Sequence, residues 1–154
     1  MSLALRDARL PHPRAWLERA YGEWLRELGA RSDDLLAAGS QLAALLGEHA
    51  VEVFVFERDG RYAGFAIVRT LSPTARRLDE FYIVVTERRL GVGREAARLL
   101  FNRFVGEWEI VTLQRDVAAL GFWRSVLPRY AARGVSEQRL AGEVRQRFSS
   151  KGAR

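Results

Sequence analysis

The chain has 154 residues, the size of one domain, and its 48% hydrophobic and 29% charged residues are typical of a packed globular protein. It contains no cysteine and only two histidines, His12 and His49, which excludes disulfides and thiolate metal sites and predicts no metal site. The net charge of +6, with 24 arginines and one lysine, favours an anionic partner such as nucleic acid, an anionic membrane or a phosphate-bearing cofactor.

The overall pattern predicts one soluble, cytoplasmic domain without a membrane partner. No apolar run approaches the about 18 residues that span a bilayer. The N-terminus lacks the basic start and apolar run of a signal peptide. We expect a single domain over residues 1–150 and a disordered tail over 151–154.

The first third of the chain predicts one strand and two helices. A short strand is predicted over 2–7. Apolar residues then recur at helical spacing after Pro13, as far as Leu28, and Gly29 ends this helix. Ser32 begins a second helix that runs toward Leu46, with an interruption predicted at Gly39.

The remaining two thirds predict strands that alternate with two more helices. The Asp-Gly pair at 59–60 joins two β-branched and aromatic runs and indicates a hairpin. A turn at Ser72-Pro73 precedes the third strand. The predicted strands cover 51–57, 62–70, 78–86, 108–114, 135–140 and 143–148, and the predicted helices run through Val105 and over 116–127. The order β-α-α-β-β-β-α-β-α-β-β predicts an α/β fold, a mixed sheet covered by helices.

The most informative segment is Arg88-Arg89-Leu90-Gly91-Val92-Gly93-Arg94, between a strand and an amphipathic helix. Glycines let a backbone approach a ligand closely, and a helix N-terminus offers free N–H groups to a phosphate. The P-loop pattern does not occur. The dinucleotide fingerprint is formally met, but the strand that follows ends at Gln114 instead of an acid, and a hairpin precedes the segment.

The same segment resembles the acyl-CoA-binding motif of the GNAT N-acetyltransferases, [QR]-x-x-G-x-[GA]. Arg88, Gly91 and Gly93 match its fixed positions. A later helix with the family pattern N-x-x-A-x-x-F-Y is matched by Ala119 and Phe122. The element order also matches, so the resemblance covers nearly the whole chain. It implies a GNAT-type mixed, mostly antiparallel sheet with helices on both faces.

The resemblance implies an acetyltransferase with acetyl-CoA as co-substrate and a primary amine as acceptor, with no covalent enzyme intermediate. Backbone groups of the strand end would pair with the pantetheine arm, and N–H groups from Arg89 to Arg94 would hold the pyrophosphate. The implied cofactor-binding residues are Ile83, Val84, Val85, Arg88, Arg89, Leu90, Gly91, Val92, Gly93, Arg94, Asp116, Phe122 and Trp123.

Proton handling departs from the family pattern. Trp123 stands where the family tyrosine often protonates the leaving thiolate, and an indole N–H is not a useful acid. Tyr82 and Tyr130 are the candidate replacements. Glu80 is the candidate general base because it lies on the strand that leads to the motif and shares a face with Tyr82. The competing interpretation is that Glu80 pairs with an arginine or faces solvent.

Several alternatives stay open on the sequence. Asp116 replaces the family asparagine and serves equally well as a helix cap. The chain is either an enzyme or a non-catalytic acyl-CoA-binding module. A basic nucleic-acid-binding domain is a third class, against which the dispersed arginines argue. The acceptor is a small-molecule or peptide amine, contacted by residues 31–34 and the terminal hairpin, and a homodimer is left open.

Overall fold

The computed structural model describes residues 2–9 and 13–152, so His12 and the end of the tail lie outside the described residues. The strands are β1 (Leu3–Asp7), β2 (Val51–Arg58), β3 (Arg61–Ser72), β4 (Ala75–Ile83), β5 (Glu107–Leu113), β6 (Ser136–Leu140) and β7 (Glu143–Ser149). The helices are α1 (Arg14–Glu27), α2 (Ser32–Leu36), α3 (Ala38–Gly47), α4 (Val92–Arg103) and α5 (Val117–Val126). The predicted order of elements is confirmed, except that the second predicted helix is divided into α2 and α3.

The seven strands of the described residues form one sheet in the order β1-β2-β3-β4-β5-β7-β6. Every neighbouring pair is antiparallel except β4 and β5, which run parallel and are joined by the crossover through α4. The prediction of a mixed, mostly antiparallel sheet is therefore confirmed.

Helices cover both faces of the sheet, as predicted, because each strand of its first half alternates apolar residues between two cores. On one face, Leu17 of α1 and Leu42 of α3 pack against β2 and β3. On the other face, Leu100 of α4 and Trp123 of α5 pack against the same strands and against Ile110 of β5. None of the described helices is long and apolar enough to cross a membrane.

Two predicted boundaries are wrong. The third predicted strand, 78–86, is β4 and covers Ala75–Ile83, because the apolar Val84–Thr86 segment leaves the sheet and turns as a short 3₁₀ helix over Val85–Glu87. The second predicted helix is interrupted at Ala37, between α2 and α3, and Gly39 lies inside α3. At the C-terminus, the Lys151 N–H donates to the Tyr130 carbonyl at 2.9 Å, and residues 153 and 154 of the predicted tail are not described.

Candidate active site

The site begins where β4 and β5 separate. The two strands are paired only from Ala75 to Leu78 of β4 and from Glu107 to Ile110 of β5. We call this short paired segment the joint. Beyond it, β5 pairs with β7 as far as Leu113, and β4 pairs with β3 as far as Ile83. Parallel strands that stop pairing leave backbone donors and acceptors unpaired along the facing edges. A gap therefore opens inside the sheet, between the second halves of β4 and β5.

The backbone of β4 presents alternate residues to this gap. The Val84 N–H donates to the Ala63 carbonyl at 2.9 Å, so Val84 faces β3. Hydrogen-bonded and non-bonded positions alternate along an antiparallel pair, so Phe81 and Ile83 direct their backbone groups toward β5. The Ile83 carbonyl accepts a hydrogen bond from Arg88 Nε at 2.7 Å.

This geometry corrects the backbone set that the sequence suggested. Of Ile83, Val84 and Val85, only Ile83 faces the gap. The Val84 and Val85 carbonyls instead accept hydrogen bonds from the backbone N–H groups of Glu87 and Arg88, at 2.9 and 3.2 Å. Phe81, which the motif did not indicate, also faces the gap, because a strand exposes every second residue on one edge.

A cavity of about 520 Å³ lies on the α4 and α5 side of the gap. It is bounded by the end of β4, the N-terminus of α4 and one face of α5. The predicted residues that line it are Tyr82, Ile83, Arg88, Arg89, Gly91, Gly93, Arg94, Asp116, Phe122 and Trp123, and Glu27, Phe81, Ala118, Ala119, Ser125 and Val126 complete the wall. Most of the residues predicted to bind a cofactor are therefore brought to one cavity.

The N-terminus of α4 opens into this cavity without a side-chain cap. Gly91 precedes the helix with φ +77°, a left-handed conformation that suits glycine. The first turn of the helix therefore keeps free N–H groups beside Arg89 and Arg94, which supply full positive charge. This arrangement favours an anion such as a phosphate.

Gly93 has a packing role in addition to its place in the cavity wall. A Cβ atom there would lie 3.2 Å from Phe122 Cε2 and 3.7 Å from Ile83 Cγ1. The absent side chain therefore lets the Phe122 ring pack against the first turn of α4. Phe122 in turn stacks on Phe81, with ring centroids 5.8 Å apart, which makes the inner wall of the cavity aromatic.

Tyr82 belongs to a polar cluster at the mouth of the cavity. Its hydroxyl donates to Glu27 Oε1 at 3.2 Å, and Arg88 Nη2 donates to both Glu27 carboxylate oxygens at 2.9 and 2.8 Å. Burial and the Glu27 carboxylate raise the pKa of Tyr82 to about 12. Tyr82 is therefore a weaker acid than a free tyrosine. Arg88 links the end of α1 to the end of β4, because it donates hydrogen bonds to both Glu27 and the Ile83 carbonyl. Glu27 carried no sequence signal, since it lies on the charged side of an amphipathic helix.

Glu80 does not line the large cavity but lies next to it, in the gap. A small cavity of about 50 Å³ between the separating strands shares Phe81, Ala119 and Trp123 with the large cavity. Glu80 lines this small cavity and also a charged cavity of about 310 Å³ beyond it, which Arg77, Asp79 and Arg145 border. The three cavities thus follow one another across the sheet, with Glu80 between the second and third.

The Glu80 carboxylate makes no hydrogen bond or ion pair with a described residue. The nearby arginines pair with the neighbouring Asp79 instead. Arg69 Nε lies 3.0 Å from Asp79 Oδ2, and Arg77 also pairs with Asp79. The interpretation that Glu80 pairs with an arginine is therefore wrong. Burial, followed by the negative charge of Asp79, raises the pKa of Glu80 to about 8. Asp79 occupies the β-bulge opposite Ile67 and Val68.

The other predicted residues are dispersed. The Tyr130 hydroxyl donates to the Arg94 carbonyl at 3.2 Å, and Tyr130 does not line the cavity. Leu90 exposes its side chain, and Val92 is buried in the core. The Asp116 cap is confirmed, since Oδ1 accepts from the Ala119 N–H at 3.1 Å.

Trp123 lies in the wall shared by the large and small cavities. It is buried, and its ring meets Phe81 edge to face at 4.9 Å. An aromatic wall therefore occupies the position at which the family pattern has a tyrosine.

Comparison with solved structures identifies the fold. No protein-family model matches the sequence, and no curated protein matches it either. Solved acetyltransferase structures do match the fold. An acetyltransferase from Thermus thermophilus aligns with a TM-score of 0.73 at 15% identity and 96% coverage of both chains.

Two further structures were solved with coenzyme A. The PaiA N-acetyltransferase from Thermoplasma acidophilum aligns with a TM-score of 0.69 at 11% identity, covering 97% of this chain and 99% of its own. The spermidine N-acetyltransferase from Vibrio cholerae, also bound to spermine, aligns with a TM-score of 0.65 at 12% identity, covering 96% and 95%. The chain therefore has the GNAT acetyltransferase fold, as its motifs predicted.

Proposed function

We propose that this chain transfers the acetyl group of acetyl-CoA directly to a primary amine. One observation carries the proposal: the gap between β4 and β5 joins a cavity at an uncapped helix N-terminus on one side to a charged cavity on the other. Such a passage lets two substrates meet inside the sheet from opposite directions. Acetyltransferases of the same fold have been crystallised with coenzyme A, which supports acetyl-CoA as the first of them.

Coenzyme A would occupy the 520 Å³ cavity. Its pyrophosphate would receive the free N–H groups of α4 and the charges of Arg89 and Arg94. Its pantetheine arm would lie along β4 and pair with the backbone of Phe81 and Ile83, as an added strand does at a sheet edge. The thioester would then reach the gap beside Trp123.

The amine would enter through the charged cavity and pass Glu80. Attack on the thioester carbon needs an uncharged amine, so its proton must leave. Glu80 has no partner among the described residues. With a pKa of about 8, only a fraction of this group is ionised at neutral pH, and that fraction is able to accept the proton. The nitrogen–carbon bond then forms and the carbon–sulfur bond breaks. The second proton that the nitrogen loses on becoming an amide goes to water, and coenzyme A leaves as the thiolate.

The acceptor is proposed only as a class, a small-molecule or peptide primary amine. The Vibrio cholerae neighbour is named for spermidine, which supports an amine acceptor. In this chain the charged cavity mixes Arg77 and Arg145 with Asp79, Glu80 and Glu143. A cavity with similar numbers of acidic and basic side chains suits an acceptor that carries both positive and negative charge. It suits a polycation less well.

A binding module without catalysis is the second candidate. It is favoured by the buried Trp123 at the family tyrosine position and by the Tyr130 hydroxyl, which is held by the Arg94 carbonyl. Turnover decides between the two functions, because both require the same acyl-CoA site.

The experiment measures thermal stability with acetyl-CoA, coenzyme A, NAD and ATP, followed by mass spectrometry of an amine panel incubated with acetyl-CoA. A ligand at 100 times its dissociation constant adds about 2.7 kcal/mol to the free energy of unfolding, a clear shift. We expect stabilisation by acetyl-CoA and coenzyme A and acetylation of at least one amine. Stabilisation without any acetylation selects the binding module. If neither acetyl-CoA nor coenzyme A stabilises the protein, both proposed functions are overturned.

A further inference from the structure

The small cavity between β4 and β5 contains a polar group that the mechanism above does not use. Thr112 of β5 lines this cavity opposite Glu80 and Phe81, beside Trp123. Thr112 is 7% exposed, and its Oγ1 has no hydrogen-bond partner among the described residues. The neighbouring strand offers it none, because its cross-strand partner on β7 is Val144.

An unpaired buried hydroxyl works against folding. Leaving such a group without a partner costs free energy, and valine has nearly the same shape without that cost. A valine would suit the apolar side of β5, on which Trp108 and Ile110 are buried. The hydroxyl therefore destabilises the free protein at the position where the two proposed substrates meet.

We propose that the Thr112 hydroxyl donates a hydrogen bond to the carbonyl oxygen of the acyl group of bound acyl-CoA. The inference rests on the proposed function, which brings a thioester into the gap. When the amine nitrogen bonds to the carbonyl carbon, the electron pair of the C=O double bond moves to that oxygen. The oxygen then accepts more strongly, and when the carbon–sulfur bond breaks the pair returns. Thr112 keeps its proton throughout.

This role of the Thr112 side chain differs from that of the β4 backbone, which is proposed to pair with the pantetheine arm. A backbone N–H is present in every sequence with this fold, whereas the Thr112 hydroxyl is a property of this side chain. A donor aimed at a developing negative charge in a dry cavity acts most strongly in the transition state. The geometry therefore makes Thr112 a catalytic residue that is also a weak ground-state contact.

The test compares Thr112→Val, which keeps the shape and removes the hydroxyl, with Thr112→Ser, which keeps the hydroxyl. The first measurement is the dissociation constant for coenzyme A and for acetyl-CoA. We expect Thr112→Val to weaken acetyl-CoA binding by about fivefold, the size of one neutral hydrogen bond, and to leave coenzyme A binding unchanged. Thr112→Ser should bind both compounds as the wild type does.

The second measurement is acetylation of an accepted amine. We expect Thr112→Val to lower kcat by about 100-fold with a much smaller change in KM, because the lost donor acts mainly in the transition state. Urea unfolding of the free protein checks the fold: Thr112→Val should unfold at the same or a higher urea concentration than the wild type.

Each failure has a distinct signature. If the wild type binds neither acetyl-CoA nor coenzyme A, the proposed function fails and the inference with it. If the wild type binds acetyl-CoA and Thr112→Val matches it in affinity and kcat, only the inference fails. Equal weakening of coenzyme A and acetyl-CoA by Thr112→Val also overturns it, since Thr112 would then only support the shape of the site.

Discussion

Replacement of Glu80 by glutamine should remove a large pH dependence of stability. In the folded chain the pKa of Glu80 is raised from its ordinary value of 4.5 to about 8, first by burial and then by Asp79. The folded protein therefore binds this proton more tightly than the unfolded chain does. The resulting stabilisation is complete below the unfolded pKa and is lost as the pH rises through the folded one.

The size of the effect follows from the two pKa values. At 1.36 kcal/mol per pKa unit, the rise from 4.5 to about 8 corresponds to roughly 5 kcal/mol of stability lost between about pH 4.5 and pH 9. Glu80→Gln carries no proton to lose, so its stability should stay nearly flat over that range, apart from the smaller contributions of other groups. Urea unfolding at pH intervals of about one unit measures both curves.

Glu52→Gln provides the matched control, because it makes the same chemical change on β2, in a side chain that forms no ion pair with a described residue. This variant should follow the wild-type curve. If the wild type and Glu80→Gln lose stability in parallel as the pH rises, the Glu80 carboxyl is ionised in the fold at neutral pH. The reasoning that makes it a base tuned near pH 8 would then be refuted.

Three other substitutions test contacts that support the site and the fold around it. Gly93→Val should weaken coenzyme A binding and lower stability, because the added Cβ would stand 3.2 Å from Phe122; a calorimetric titration with unchanged affinity would contradict this. Asp116→Ala should cost about 1 kcal/mol in urea unfolding through loss of the cap on α5, whereas Asp116→Asn should restore most of it. Glu87→Ala should cost about 3 kcal/mol, because it leaves Arg58, whose Nη2 lies 2.7 Å from the Glu87 carboxylate, without its buried partner. An unfolding midpoint equal to that of the wild type would exclude a structural role for this pair.

The sequence predicts the elements well because their periodicities are strong. The α4 helix is amphipathic, as predicted, and buries Ala96, Ala97 and Leu100 on one face. The predicted hairpin at Asp59-Gly60 joins β2 to β3. These features depend on neighbours within a few residues. Local patterns therefore carry most of the fold.

The site depends on contacts between segments that are distant in sequence, which local sequence patterns do not indicate. The apolar Val84–Thr86 segment resembles a strand, yet it turns because β4 has already parted from β5. The same parting leaves Glu80 without a partner and brings Thr112 to the gap. A strand's neighbour and the length of their joint are set by the crossover through α4, not by the residues of the strand.

The short joint between β4 and β5 also bears on the order in which the chain folds. Short hairpin loops join β2 to β3, β3 to β4 and β6 to β7, so three of the six strand pairs close short loops. The joint is four residues long and must close over the whole α4 crossover. Closing a loop of this length costs chain entropy, which slows formation of the contact. A joint of four residues offsets little of that cost. The gap therefore lies between two parts of the sheet that can each begin from local hairpins, and we expect the β4–β5 joint to close after those hairpins have formed.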